Sequence, residues 1–164
     1  MKYFNIAGPC NSVEHYMIDA STRLKGVEQL IDMKQYFVIH AARQSGKTTY
    51  LKDLTNRLNA DGKYYTLYCT LEGVQGVVEP EHGIPAILDC IVIALQKSSI
   101  PFTYNESYEK DKKNRPLVLL TLFLMNFVKE LDKPLVVLFD EADCLSEGTL
   151  ISFLRQLRSG YNDR

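Results

Sequence analysis

Residues 36–49 read YFVIHAARQSGKTT, and the order of residue types in this stretch decides the fold class expected of the chain. Tyr36 to Ile39 is a short apolar run, a small polar loop follows, and Gly46-Lys47-Thr48 closes it. Beyond the loop Leu51, Leu54 and Leu58 recur at helical spacing, which predicts a helix over 47–59. Strand, loop and helix in this order are the frame of the phosphate-binding pattern G-x-x-x-x-G-K-[ST]. Here the pattern reads A-A-R-Q-S-G-K-T, with Ala41 in place of the first glycine, so the backbone at 41 has to stay out of positive φ.

The chemistry of such a loop accounts for its residue types. Backbone N–H groups from Arg43 to Thr48 are expected to curl around a β-phosphate, and Gly46 lets the main chain come close to it. The helix N-terminus adds partial positive charge at the same place. Lys47 is expected to reach the β- and γ-phosphates and Thr48 to hold Mg²⁺ through its hydroxyl. The expected nucleotide contacts are therefore Ala42, Arg43, Gln44, Ser45, Gly46, Lys47, Thr48 and Thr49.

The chain of 164 residues is the size of one domain, with 46% apolar and 24% charged residues, an ordinary balance for a globular protein. A net charge of −1 offers no global basic field for nucleic acid or an anionic membrane. The cysteines at 10, 69, 90 and 144 form no C-x-x-C pair and have no histidines at zinc spacing. Cys69 and Cys90 sit in apolar runs and read as buried thiols, reduced in a cytoplasmic protein. MKYFNIAGPC lacks the apolar core of a signal peptide. The most apolar stretch, Leu117 to Val128, is interrupted by Thr121 and Asn126 and is too short to span a bilayer.

Along the rest of the chain, residues 1–20 read as an extended arm, and Ser21 or Thr22 as the cap of a helix running to Asp32. Tyr36 to His40 is the expected first strand. YYTLYCTL, Tyr64 to Leu71, is rich in β-formers and predicts the second. VQGVVEPEHGIP reads as a loop, Ile87 to Gln96 as a buried helix, and 98–115 as an exposed, charge-rich insertion. Pro116 suits the first turn of a helix ending near Leu131. Leu135 to Phe139 is apolar throughout and predicts a third strand, buried on both faces. Thr149 to Arg158 again has helical spacing.

The third strand ends PLVVLFDEAD. An apolar strand followed by Asp-Glu, some 90 residues after a phosphate loop, is a Walker B pattern, with both carboxylates at the carboxyl end of the strand. Asp140 is expected to hold Mg²⁺, mainly through its water shell, and Glu141 to polarise the attacking water as a general base. Asp143 reads as a helix cap, with a further polar contact as the alternative. Thr70 and Glu72, at the end of the second strand, are candidates for water or partner contacts, and His40 reads as structural.

With both motifs in hand the chain resembles the bacterial AAA-like ATPases of the additional-strand P-loop class, related to AAA+ proteins and to the signal-transduction ATPases with numerous domains. The similar stretches are FNIAGPC and HYMI, Arg23 with Glu28, YFVIHAARQSGKTT, YCTLEG, FDEAD and LISFLRQLRSGY. The resemblance implies an α/β P-loop NTPase fold, a three-layer sandwich around a mainly parallel sheet. Residues 1–34 would be its N-terminal arm and helix, and 35–164 the core through the Walker B strand. It implies ATP and Mg²⁺ as ligands, and a segment from Gly8 to Arg23 lying near the adenine. In this class the sheet order is 5-1-4-3-2, and a sensor strand, an arginine finger and a helical lid follow the Walker B strand. The chain is therefore expected to be the N-terminal fragment of a longer protein, its sheet incomplete after Asp140. Arg155 and Arg158 read as solvent-facing residues of an amphipathic helix rather than as fingers.

The function expected is ATP binding and Mg²⁺-dependent hydrolysis within a larger regulatory or signalling ATPase, with a homo-oligomer or a regulatory protein as partner. The alternative is a nucleotide-binding or interaction module without turnover of its own. A P-loop phosphotransferase rarely pairs the metal Asp with an adjacent Glu, and a DNA-linked ATPase lacks support from any basic, aromatic-interleaved surface.

Overall fold

The computed structural model describes residues 2–6, 13–16, 26–42, 44–104 and 106–161. Among these the chain is mixed α/β, with six α-helices and one two-stranded parallel sheet. Strand β1 is Tyr65–Thr70 and β2 is Leu135–Asp140, paired from Tyr65 opposite Leu135 to Thr70 opposite Asp140. Both are runs of aromatic, β-branched and aliphatic residues, the types that suit a pleated buried surface. A parallel pair needs a long crossover, supplied here by α3 (Pro80–Gln96), α4 (Glu106–Asn114) and α5 (Leu119–Phe127).

Period-two alternation sends the strands' side chains to two cores. Leu67 and Cys69 of β1 join Ile84, Ile87 and Ile91 of α3, Phe123 and Phe127 of α5, and Phe153 of α6 (Glu147–Tyr161). On the other face Leu138 of β2, with Tyr68 and Val136, meets Tyr50, Leu51, Leu54 and Leu58 of α2 (Lys47–Asp61). Val27 and Ile31 of α1 (Val27–Asp32) complete that second core. The sheet is thus covered by helices on both faces, as the unbroken apolar run in β2 requires.

Four expectations are corrected. Tyr36–His40 is extended but pairs with no strand among the described residues. Its alternation survives: Phe37 and Ile39 pack on the α2 core, while Tyr36 and Val38 are exposed. Burial of one side without a backbone partner makes an extended segment and not a strand, and the Tyr36 hydroxyl ties it to Leu157 O of α6 at 2.9 Å. Second, α3 begins at Pro80, inside the stretch read as a loop. The two glycines and two prolines of that stretch suggest a turn, yet Pro80 occupies the first helical position, where its missing N–H costs nothing. Gly83 allows α3 to approach α6 so closely that a Cβ there would lie 2.3 Å from Thr149 Oγ1.

Third, the polar connection 98–115 contains helix α4 and is anchored. Tyr108 is buried, Phe102 packs edge-on against Phe127 with ring centroids 5.5 Å apart, and Lys112 pairs with Asp89 of α3. The aromatics spaced through the charged residues supply this anchor. Fourth, Asp143 lies within a short 3-10 turn, Ala142–Cys144, and not at a helix cap. The expected caps Ser21 and Thr22 lie outside the described residues, and α1 starts after Gly26 in a left-handed conformation (φ 98°). The other helices and β1 and β2 fall where the spacing predicts them, with the end of α2 set by left-handed Gly62 (φ 76°).

Candidate functional site

Helix α2 starts at Lys47, immediately after Gly46. Gly46 is left-handed (φ 88°), with no atom within 4 Å of the place a Cβ would take. Ser45 N–H donates to Ala42 O at 3.3 Å, which turns the loop. Among the described residues the left-handed positions of the loop are Gln44 (φ 59°) and Gly46, and Ala41 is not one of them. Alanine at the first loop position is therefore unstrained. Ala42, Gln44, Ser45 and Gly46 are exposed, and Lys47, Thr48 and Thr49 are half-buried; Arg43 lies outside the described residues. Lys47 Nζ donates to Ala41 O at 2.9 Å, spanning the loop from end to start. The first amides of a helix have no acceptor within it, so α2 directs N–H groups and its dipole toward the loop.

Asp140 is the last residue of β2 and is buried at 4% exposure. Thr48 Oγ1 donates to Asp140 Oδ2 at 2.7 Å, joining residues 92 positions apart. Tyr68 of β1 donates to the same oxygen at 2.9 Å, and the Glu141 N–H donates to Oδ1 at 3.1 Å. Burial pushes the Tyr68 hydroxyl well above the usual tyrosine range, and its bond to Asp140 adds to the shift. Tyr68 is therefore a neutral donor at any ordinary pH.

Glu141 is exposed and sits in a left-handed conformation, φ 58° and ψ 31°, which costs a residue bearing a Cβ of the order of 1–2 kcal/mol. Its carbonyl accepts from Cys144 N–H at 3.1 Å, closing the turn that follows β2. The Cys144 thiol donates to Leu71 O at 3.1 Å and is pushed up by burial and by the acids Asp143 and Glu141. Thr70, opposite Asp140, is exposed and accepts from Glu72 N–H at 3.4 Å through its hydroxyl. Neither Thr70 nor Glu72 forms a hydrogen bond to Asp140 here. His40, Arg155 and Arg158 are exposed, and the segment 8–23 lies mostly outside the described residues.

One hydroxyl and one buried carboxylate meeting at 2.7 Å fit the small protein share that Mg²⁺ takes when phosphates and waters supply the remaining ligands. Among the described residues no group of three or more His, Cys, Asp or Glu side chains could hold a metal by itself. A groove of about 430 Å³ between Pro80, Leu117, Val118, Ile151 and Arg155 shares no residue with this constellation. Chemistry, and not volume, locates the candidate site.

Tyr68 is the site residue the sequence reading missed. Alternation in YTLYCT puts it on the face of β1 that Thr70 shares, two residues before the strand end, and that parity is the signal that points to it. Among the described residues no helix is long and apolar enough to cross a membrane. Comparison with protein-family models, with curated proteins and with solved structures returned no match.

Proposed function

We propose that this chain binds ATP as its Mg²⁺ complex at the start of α2 and belongs to a P-loop ATPase, a three-layer α/β protein of AAA-like type acting in a regulatory or signalling role in the bacterial cytoplasm. The observation that carries the reading is the 2.7 Å contact between Thr48 and Asp140. Two motifs recognised separately, 92 positions apart, meet through the two side chains that their chemistry assigns to one cation. The left-handed Gly46 and the amides at the start of α2 support a phosphate at the same place.

In this reading the loop amides from Ala42 to Thr49 bind the phosphates, and Lys47 exchanges Ala41 O for phosphate oxygens. Bound Mg²⁺ neutralises charge on the β- and γ-phosphates. Glu141, one residue beyond Asp140, accepts a proton from the water that attacks the γ-phosphorus, as the bond to the bridging oxygen breaks and ADP leaves. The strained backbone at Glu141 is the kind of local cost that persists where a side chain has to be aimed.

A second reading, binding without turnover, draws on the extended segment 35–42, which leads into the loop without a strand partner among the described residues. In it the loop and Glu141 lack a common rigid frame until a homo-oligomer or a regulatory protein supplies one. Binding of fluorescent ATP with and without Mg²⁺, and phosphate release, separate the two. Binding lost in Lys47→Ala, with turnover lost but binding kept in Glu141→Gln, supports the ATPase. Binding with no turnover above blank selects the second reading, and absence of Mg²⁺-dependent binding overturns both.

A further inference from the structure

Three donors converge on the Asp140 carboxylate from three separate segments. Thr48 comes from the first turn of α2, Tyr68 from β1, and the Glu141 N–H from the turn after β2. Thr48 and Tyr68 share Oδ2, while Glu141 takes Oδ1, so both carboxylate oxygens are held and the side chain has one orientation. Tyr68 is itself fixed. It pairs across the sheet with Leu138, packs on the α2 core, and has Lys52 Nζ of α2 5.2 Å from its ring centroid.

We propose that Tyr68 is a positioning residue that aims Asp140 Oδ2 at Thr48, pre-forming a divalent-cation site between the two. The inference rests on the reading of Thr48 and Asp140 as the cation's protein ligands. A hydroxyl that binds a cation offers it a lone pair and keeps its proton as a donor, so the Thr48 bond to Oδ2 is compatible with a bound cation and Thr48 is both ligand and restraint. The Tyr68 hydroxyl, on a different element, donates to the same oxygen and is not itself a proposed ligand, so it restrains Oδ2 without having to contact the cation. Phenylalanine at 68 keeps the ring, its packing and the Lys52 contact, and removes only this restraint.

The experiment is a titration of the full chain with Mn²⁺, read by electron paramagnetic resonance, in the presence of a non-hydrolysable ATP analogue. Tyr68→Phe is expected to weaken Mn²⁺ binding by about threefold to tenfold, the part of one hydrogen bond's contribution that differs between the free and the cation-bound site. Affinity for the analogue in EDTA should stay unchanged, a split that a merely structural loss would not produce. Asp140→Asn is expected to abolish the Mn²⁺ signal change, and adding Tyr68→Phe to it should cost nothing more. If Asp140→Asn leaves Mn²⁺ affinity intact, the cation-site reading itself falls. If Asp140→Asn abolishes binding while Tyr68→Phe matches the unaltered protein, the role of Tyr68 alone is overturned. The unaltered protein provides a second measurement should Tyr68→Phe fold poorly. Its Tyr68 hydroxyl proton, held on Oδ2, should give an exchange-protected NMR signal that is absent in Asp140→Ala and kept when Mg²⁺ and the analogue bind, and loss of that signal on binding overturns the proposal.

Discussion

Glu141 combines a strained backbone with a proposed chemical role, and two substitutions separate them. At φ 58° and ψ 31° the left-handed conformation costs about 1–2 kcal/mol for a residue with a Cβ. Glycine escapes this cost but loses about 0.5–1 kcal/mol through the greater freedom of its unfolded chain. Because Glu141 is exposed, little packing is lost with its side chain. Glu141→Gly should therefore stabilise the fold by about 0.5–1 kcal/mol, or about 1–4 °C in Tm for a chain of this size. Glu141→Gln keeps the Cβ and the strain and should melt with the unaltered protein. Both should lose phosphate release, so the glycine variant gains stability as it loses chemistry. Urea unfolding with a common slope, alongside the phosphate assay, measures both quantities. A glycine variant no more stable than the glutamine variant would refute the strain. Retained turnover in both would refute Glu141 as the base.

Gly83→Ala would place a Cβ 2.3 Å from Thr149 Oγ1 and 2.4 Å from its Cγ2, forcing α3 and α6 apart and breaking the Thr149 bond to Val77 O at 3.0 Å. A loss of about 1–3 kcal/mol from overpacking and about 1 kcal/mol from the bond, less about 1 kcal/mol of helix propensity, leaves a destabilisation of about 1–3 kcal/mol in urea unfolding. Shortening the neighbour with Thr149→Ala in the same chain removes the two closest contacts and leaves Thr149 Cβ at 2.9 Å, so it should recover part of the overpacking loss, and no recovery would contradict the close approach. Thr66→Val makes the opposite kind of change. The Thr66 hydroxyl is buried without a hydrogen-bond partner among the described residues, so an apolar group of the same shape should stabilise the chain by about 1 kcal/mol. A loss of stability would mean that the hydroxyl has a partner after all.

How far the sequence reveals the molecule depends on whether a signal is local. The loop, α2, β1 and β2 were legible because each carries its own periodicity and punctuation, down to Gly62 after α2. Tyr36–His40 was misread because an apolar run records burial and says nothing of a backbone partner. The start of α3 was hidden by Gly83, Pro80 and Pro85, residues that ordinarily mark turns. Here one of them serves a helix start and another the packing against Thr149, a contact far away in the chain. Helix α4 was masked by its charge, although Phe102 and Tyr108 already marked where it would anchor. At the candidate site Thr48 and Asp140 were readable from motif chemistry, whereas Tyr68 needed the parity of β1 to be carried through to its neighbour across the sheet.

The pairing of β1 with β2 also has a consequence for the order in which the chain assembles. The ladder of six register pairs and the Tyr68–Asp140 bond join residues about 70 positions apart, 72 for that bond, while the core of α1, α2 and β1 is built mostly from neighbouring segments. The entropy of closing so long a loop has to be met before the ladder repays it. The loop before α2 and the helix itself can form while Asp140 is still distant, and the carboxylate arrives only with the intervening helices in place. Under the proposed reading, competence to hold a cation is then a late event in folding and a stringent reporter of its completion.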